Sequence, residues 1–304
     1  MNTAAKIWEE PIVNELYMIA GWEQWADAGS VSSGLPQYLV QHLHARKVGE
    51  ISPDGFYLFQ MPSTHHLLRP RVKFEDGYSK SIRPRTNEFY YAGNRQKGLL
   101  IFLGEEPHMD IDRYADAFFA VMKQLHVKRG VLVGGVFGAM PYAKEREVSC
   151  TYSLRHMKDE LTKYAVRFSN YEGGATIGSY LVDRAEQAAL ELLVFNAFVP
   201  AYDFSEAGLP LQGLRIEDDY KAWYELMKRL THMFGLDIDL SDLDRQSEAL
   251  VASMEAKLQE LEGKMPQLNI REYLAELTNE FKENPFDPLD ELWERELGDL
   301  FDDE

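Results

Sequence analysis

Through the first two thirds of the chain, short continuous apolar runs alternate with stretches whose apolar residues recur every three or four positions. Residues 16–20 form the first run. A turn-rich stretch from Gly21 to Gly34 follows, then Leu35, Tyr38, Leu39 and Leu43 at helical spacing. That order predicts strand, loop and helix. Residues 48–92 break into short pieces at 56–60 and 88–92, punctuated by Ser52-Pro53-Asp54-Gly55 and by Pro62, Pro70 and Pro84, which predicts short strands and loops. Residues 99–103 read as a fully buried strand. Asp110 can cap a helix with Ile111, Tyr114, Ala115, Phe118, Met122 and Leu125 on one face, and 130–133 is the next buried strand. Continuous apolar strands joined by a helix signal a parallel sheet covered on both faces. A strand at 165–168, a helix at 179–191 and a strand at 192–199 complete the pattern. The expected fold class is α/β, a three-layer α/β/α sandwich with a mostly parallel central sheet.

The last third changes period, its apolar residues recurring at helical spacing only. Ser241 and Asp244 make a capping-box-like start, and Leu243, Leu250, Met254, Leu258, Leu261 and Met265 form one seam of a long helix. Ile270, Tyr273, Leu274, Leu277 and Phe281 make a second amphipathic face, and Leu289, Leu292, Trp293, Leu297 and Phe301 a third, with Pro266, Pro285 and Pro288 between them. This predicts an all-helical C-terminal appendage whose seams pack within the chain or against another subunit.

Charge sharpens that boundary. The chain of 304 residues has 32 basic and 50 acidic residues, a net charge of −18. Residues 211–304 hold 10 basic and 25 acidic residues, a net of −15, so almost all the net negative charge sits there. The shift falls just after Gly208-Leu209-Pro210-Leu211-Gln212-Gly213, and the expected domains are a 1–212 sandwich and a 213–304 acidic helical domain. So acidic a chain is a poor partner for nucleic acid or anionic membrane. No apolar run approaches the length of a membrane span, and Met1 to Ile12 lacks the apolar core of a signal peptide, so a cytoplasmic location is expected. Cys150 is the only cysteine and cannot form an intramolecular disulfide.

Candidate chemistry gathers in loops that follow predicted strands, where sites in parallel sheets lie. Gly21-Trp22-Glu23-Gln24-Trp25-Ala26-Asp27-Ala28-Gly29-Ser30 could line a pocket through Trp22 and Asp27, or Asp27 could serve as a structural cap. Gly104-Glu105-Glu106-Pro107-His108 offers two carboxylates beside a histidine for acid/base work or a metal, although neighbouring residues in an extended loop point apart. Tyr171-Glu172-Gly173-Gly174-Ala175-Thr176-Ile177-Gly178-Ser179 could cradle phosphate through backbone amides, but lacks the Gly-Lys-Ser/Thr of a Walker loop. Close backbone approach or subunit packing is the plainer role for Gly173 and Gly174, and for Gly134-Gly135. Cys150 reads as a buried small hydrophobe and His65-His66 as surface. No Gly-x-Ser-x-Gly elbow or His-Glu-x-x-His helix supports a standard hydrolase or zinc protease. No metal or cofactor is expected.

Taken in order, Gly21-Trp22 with Asp27-Ala28-Gly29, Gly104-Glu105-Glu106-Pro107, Gly134-Gly135 with Pro141, Tyr171-Glu172-Gly173 and Val199-Pro200-Ala201-Tyr202 resemble the proteasome assembly chaperone 2 family over about residues 10–205. The resemblance implies a purine nucleoside phosphorylase-like α/β/α sandwich with C-terminal helices, a self-associating scaffold and no established catalytic residues. Two departures stand out. Relatives that help assemble proteasomes dock through a C-terminal hydrophobic-Tyr-x tail, whereas this chain ends Leu300-Phe301-Asp302-Asp303-Glu304. Where the family often shows His-Thr-Arg-Pro after Pro141, this chain has Tyr142-Ala143-Lys144-Glu145-Arg146, leaving Lys144 or Arg146 to carry any anion-binding role there.

Two functions follow as expectations. One is a non-enzymatic homo-oligomeric scaffold, with a trimer as the candidate number, that presents its acidic helices to a protein partner. The other is an enzyme or binder of a nucleoside or phosphate-containing ligand, with Trp22, Asp27, Glu105, Glu106, Gly173 and Gly174 around the ligand.

Overall fold

Burial on both faces selects the strands at the middle of a parallel sheet, and the computed structural model places the longest apolar runs there. It describes residues 4–23, 25–59, 70–83, 85–202, 214–266 and 269–287. The chain opens with β1 (Ala5–Ile7), β2 (Glu15–Glu23), α1 (Gly34–His42) and β3 (Arg46–Ile51), followed by β4 (Arg71–Glu75), β5 (Tyr78–Arg83) and β6 (Glu88–Gly93). Next come β7 (Lys97–Glu105), α2 (Ile111–Gln124), β8 (Val127–Gly138), β9 (Val148–Tyr152), α3 (Met157–Leu161) and β10 (Arg167–Phe168). Last are α4 (Ile177–Ala188), β11 (Leu192–Tyr202), β12 (Leu214–Arg215), α5 (Tyr220–Phe234), α6 (Ser241–Lys264) and α7 (Ile270–Glu280).

One sheet runs in the order β1-β3-β6-β7-β2-β8-β11-β9-β10, with β12 on β11. At its centre β2 pairs parallel with β7, from Glu15↔Lys97 to Glu23↔Glu105, and parallel with β8. The flank formed by β1, β3 and β6 is antiparallel. Alternate residues of these strands serve opposite faces. Met18, Ala20, Trp22, Leu100, Phe102, Leu132 and Val194 pack into one core with Tyr114 and Phe118 of α2 and Leu181 of α4. On the other face α1 packs on β2 and β7. The three layers and the C-terminal helices agree with the expected fold class.

The described residues divide into two compact units, one within Met1–Val136, Cys150–Lys158 and Ser169–Asn196, the other within Phe137–Ser149, Asp159–Phe168 and Ala197–Glu304. The expected 212/213 boundary, the third helical face at 289–301, the chain end and His65-His66 lie outside the described residues.

Several local expectations change. Residues 56–59 form no strand, because Pro53 to Gly55 set a turn in which the Phe56 N–H bonds the Pro53 carbonyl at 3.1 Å and the ring sinks into the core. The strand of that region is β3, and β4 and β5 form a separate hairpin that was not expected. Asp110 stands at the start of α2 in a left-handed conformation with no capping bond; its carboxylate pairs with Arg113 at 2.5 Å. Ser241 and Asp244 form no capping box. Leu240 is the N-cap of α6, and the Ser241 N–H donates to Asp239 at 2.9 Å instead. Within the last third, β12 interrupts the helical pattern, and α5 adds a helix ahead of the expected seam. The seam itself faces inward, with Leu243, Met254 and Leu258 buried.

Candidate functional site

Three of the expected loops leave β2, β7 and the approach to α4, all in the first unit. After β2 the chain turns back over the sheet through residues 26–33. It sits so closely that a Cβ on Gly21 would lie 1.7 Å from the Ser32 carbonyl oxygen, and one on Gly135 2.0 Å from that of Ala28. The Gly135 N–H donates to the Ala26 carbonyl at 2.7 Å, and Asp27 bridges to Gly135 in parallel fashion. Close backbone approach is therefore the role of Gly135.

Asp27 holds this turn together. Its Oδ1 accepts the N–H groups of Ser32 and Ser33, each at 2.9 Å, and its Oδ2 accepts the Ser33 hydroxyl at 2.7 Å. Burial nevertheless outweighs these three bonds and raises its pKa above the usual aspartate value. Ser30 has a left-handed backbone and makes no cap of α1. Trp22 does not line an opening: it is buried against Phe102 and Phe118, and its Nε1–H donates to the Tyr114 hydroxyl at 2.8 Å.

The two adjacent glutamates point apart. Glu105 pairs with Arg85. Glu106 reaches the start of α4, where it accepts the Ile177 N–H at 2.8 Å, and burial raises its pKa against the pull of that bond. Thr176 and Ser179 close a reciprocal capping box at the same helix start. A carboxylate and a hydroxyl thus already occupy two of the amide donors that a phosphate would seek, those of Ile177 and Ser179, while Gly173 and Gly174 lie exposed in the preceding loop. Glu106 joins two of the expected loops; Asp27 and Trp22 are engaged elsewhere, on their own turn and on Tyr114.

A polar chain unseen in the sequence runs beneath these loops. The Tyr114 hydroxyl, holding Trp22, donates to Asn87 Oδ1 at 2.9 Å. The Tyr57 hydroxyl lies 2.7 Å from the same oxygen and 2.6 Å from the Glu105 carbonyl oxygen. Arg85 stacks over the Tyr57 ring at 5.5 Å. His108 Nδ1 accepts the Leu58 N–H at 3.0 Å, which assigns the ring proton to Nε2, and burial followed by the Arg85 charge lowers its pKa. Among the described residues, Asn87 Nδ2 and His108 Nε2 are buried with no hydrogen-bond partner. Antiparallel pairing of β6 with β7 brings Asn87 and Arg85 here, and the turn before residue 58 brings Tyr57. No local sequence signal marks them.

In the second unit, Lys144 and Arg146 are each paired with a carboxylate, and burial withholds Arg146 from an anion. Lys144 pairs with Glu283 at 3.0 Å, and Arg146 is buried with Asp219. Among the described residues no group of three or more His, Cys, Asp or Glu side chains could hold a metal ion, and no helix is long and apolar enough to cross a membrane.

Comparison with known proteins places this architecture. The chain resembles a Mycobacterium tuberculosis proteasome-assembly chaperone homologue with a TM-score of 0.68 and 20% identity, covering 79% of this chain and 94% of that one. It resembles a PAC2 family protein from Streptomyces avermitilis with a TM-score of 0.68 and 21% identity, covering 85% and 99%. An archaeal proteasome activator from Pyrococcus furiosus aligns with a TM-score of 0.57 and 19% identity, covering 85% and 98%. At such identities the likeness is one of fold. A search of curated proteins finds no match. The sequence model described as the PAC2 family matches residues 21–258, most of the chain, and the protein belongs to the PAC2 family.

Proposed function

We propose that this protein is a non-enzymatic, homo-oligomeric scaffold of the assembly-chaperone type, cytoplasmic, acting on a protein partner. Similar folds carry the descriptions proteasome-assembly chaperone homologue and archaeal proteasome activator, which supports a protein assembly as that partner. One observation carries the reading. At the strand ends where a ligand site belongs, Asp27 is engaged by three donors of its own turn, and Glu106 fills the start of α4. An edge whose polar groups serve one another suits a rigid contact surface better than a reaction centre. The acidic helices then offer a second face to the partner. Light scattering of the purified chain at micromolar concentration is expected to give a defined oligomer; a strict monomer contradicts it.

The unpartnered Asn87 Nδ2 and His108 Nε2 favour a second reading, a binding protein or enzyme for a nucleoside or phosphate-containing ligand. Trp22, Asp27, Glu105, Glu106, Gly173 and Gly174 are its candidate surroundings. A panel of nucleosides, nucleotides and phosphate esters in thermal-shift measurements decides between the two. No shift, and no turnover change in Glu105→Gln with Asp27→Asn, leaves the scaffold. A saturable rise in Tm moves the function to the ligand.

A further inference from the structure

The β4–β5 hairpin forms a two-stranded sheet of its own, paired among the described residues only within itself. Two strands alone are marginal in water unless something packs on them. Yet Val72, Phe74, Tyr78 and Ile82 are 49%, 60%, 74% and 61% exposed, an apolar surface that soluble chains seldom leave bare. Val72 lies directly opposite Ile82, and Phe74, two positions along from Val72, shares their face, whereas Tyr78, opposite Glu75, lies on the other. The hairpin's charge is also opposite to that of the protein. Residues 71–83 hold four basic and two acidic residues in a chain whose net charge is −18. Lys80 is tied to Glu75 at 2.9 Å, and Lys73 makes no ion pair among the described residues.

The second unit holds a matching concavity. A groove of about 360 Å³ opens between α6, α7 and residues 141–144, floored by Leu258, Ile270 and Leu274. Glu255 and Glu262 stand on its α6 side and share a single cation, Arg271. The surrounding segment 241–287 holds 11 acidic and 5 basic residues. Glu272, Glu276 and Glu280 are exposed on α7 and make no ion pair among the described residues.

We propose that the β4–β5 hairpin is a docking arm for a second copy of this chain, its Val72, Phe74 and Ile82 seated in that copy's α6–α7 groove and its basic residues against the acidic helices. Apolar anchors in an apolar groove supply the contact, and the opposite charges supply register and orientation. The contact joins two different surfaces, so it is heterologous and repeats from copy to copy until a ring closes. It rests on the oligomeric scaffold reading and names the surface that reading needs.

Two variants test it. Phe74→Asp with Ile82→Asp removes the arm's anchors, and Thr278→Trp fills the groove from its exposed lining without touching the arm. Each alone is expected to fall to a monomer in sedimentation velocity while keeping the far-ultraviolet spectrum of the wild type. Mixed, they are expected to give a one-to-one complex, since one chain keeps a working groove and the other a working arm. Wild-type mass in both single variants overturns the docking and leaves the scaffold standing. Two folded monomers that fail to pair on mixing overturn it as well. A wild-type chain that is itself monomeric removes the scaffold reading first.

Discussion

Arg146 and Asp219, 73 positions apart, form a two-pronged ion pair, Nε to Oδ2 at 2.8 Å and Nη2 to Oδ1 at 3.2 Å, with neither side chain exposed. Both ends do more than meet each other. Arg146 Nη1 donates to the carbonyls of Tyr142 and Lys144, and Asp219 Oδ1 caps α5 by accepting the Ala222 N–H at 3.0 Å. One buried pair thus fastens the loop after β8 to the start of α5 within the second unit.

Removing one partner leaves the other buried and uncompensated, which costs about 3–5 kcal/mol. Arg146→Ala and Asp219→Ala are each expected to lower the unfolding free energy, read from urea denaturation, by that amount. Arg146→Met combined with Asp219→Leu is expected to lose far less than the sum of the two, because no stranded charge remains.

Asp27 gives stability a pH signature. Its folded pKa is raised above the ordinary 3.8, chiefly by burial. A raised acid binds its proton more readily folded than unfolded, so its contribution is fully present below the unfolded value and is lost as pH rises through the folded one. Asn keeps an oxygen for the Ser32 and Ser33 amides without the charge. The stability of Asp27→Asn relative to wild type is therefore expected to increase with pH from 3.8 upward and then level off. Asp27→Ala loses the acceptors at every pH, at about 0.5–2 kcal/mol. Thermal unfolding across that window checks both.

Tyr114 links Trp22 to Asn87 in the core. Tyr114→Phe leaves the buried indole N–H without an acceptor and is expected to destabilise by about 1–3 kcal/mol. Unfolding followed by tryptophan fluorescence measures it, with Tyr180→Phe, on the exposed side of α4, as a variant of small effect.

Cys150 is 1% exposed, and burial pushes its thiol up to about 12. The folded protein is expected to leave an aromatic disulfide reagent unreacted at neutral pH, and to release one thiol per chain on denaturation. Rapid reaction in the folded state contradicts its placement.

The middle of the sheet is legible in the sequence because β2, β7 and β8 are buried on both faces, and continuous apolar runs follow directly from that. The loops after β2 and β7 were legible for the same reason, since a parallel strand's carboxyl end locates them. Tyr57, Arg85 and Asn87 were not, because long-range antiparallel pairing and a turn, not any spacing along the chain, bring them beneath Glu105. The hairpin at β4 and β5 escaped because its apolar residues face solvent, so no buried pattern marks it. Arg146 ran against expectation in another way: a basic residue in a loop reads as exposed until its partner, far along the chain, is seen. For α5 the signal was present in Trp223, Leu226, Met227 and Leu230, at helical spacing just ahead of the seam.

The scaffold account stands most directly on a native mass spectrum of the full chain drawn gently from its own cells. It predicts an oligomer of one defined subunit number that carries a stoichiometric protein partner and no small-molecule adduct. A single chain, or an oligomer without a protein partner that retains a defined nucleoside- or phosphate-sized adduct, contradicts it.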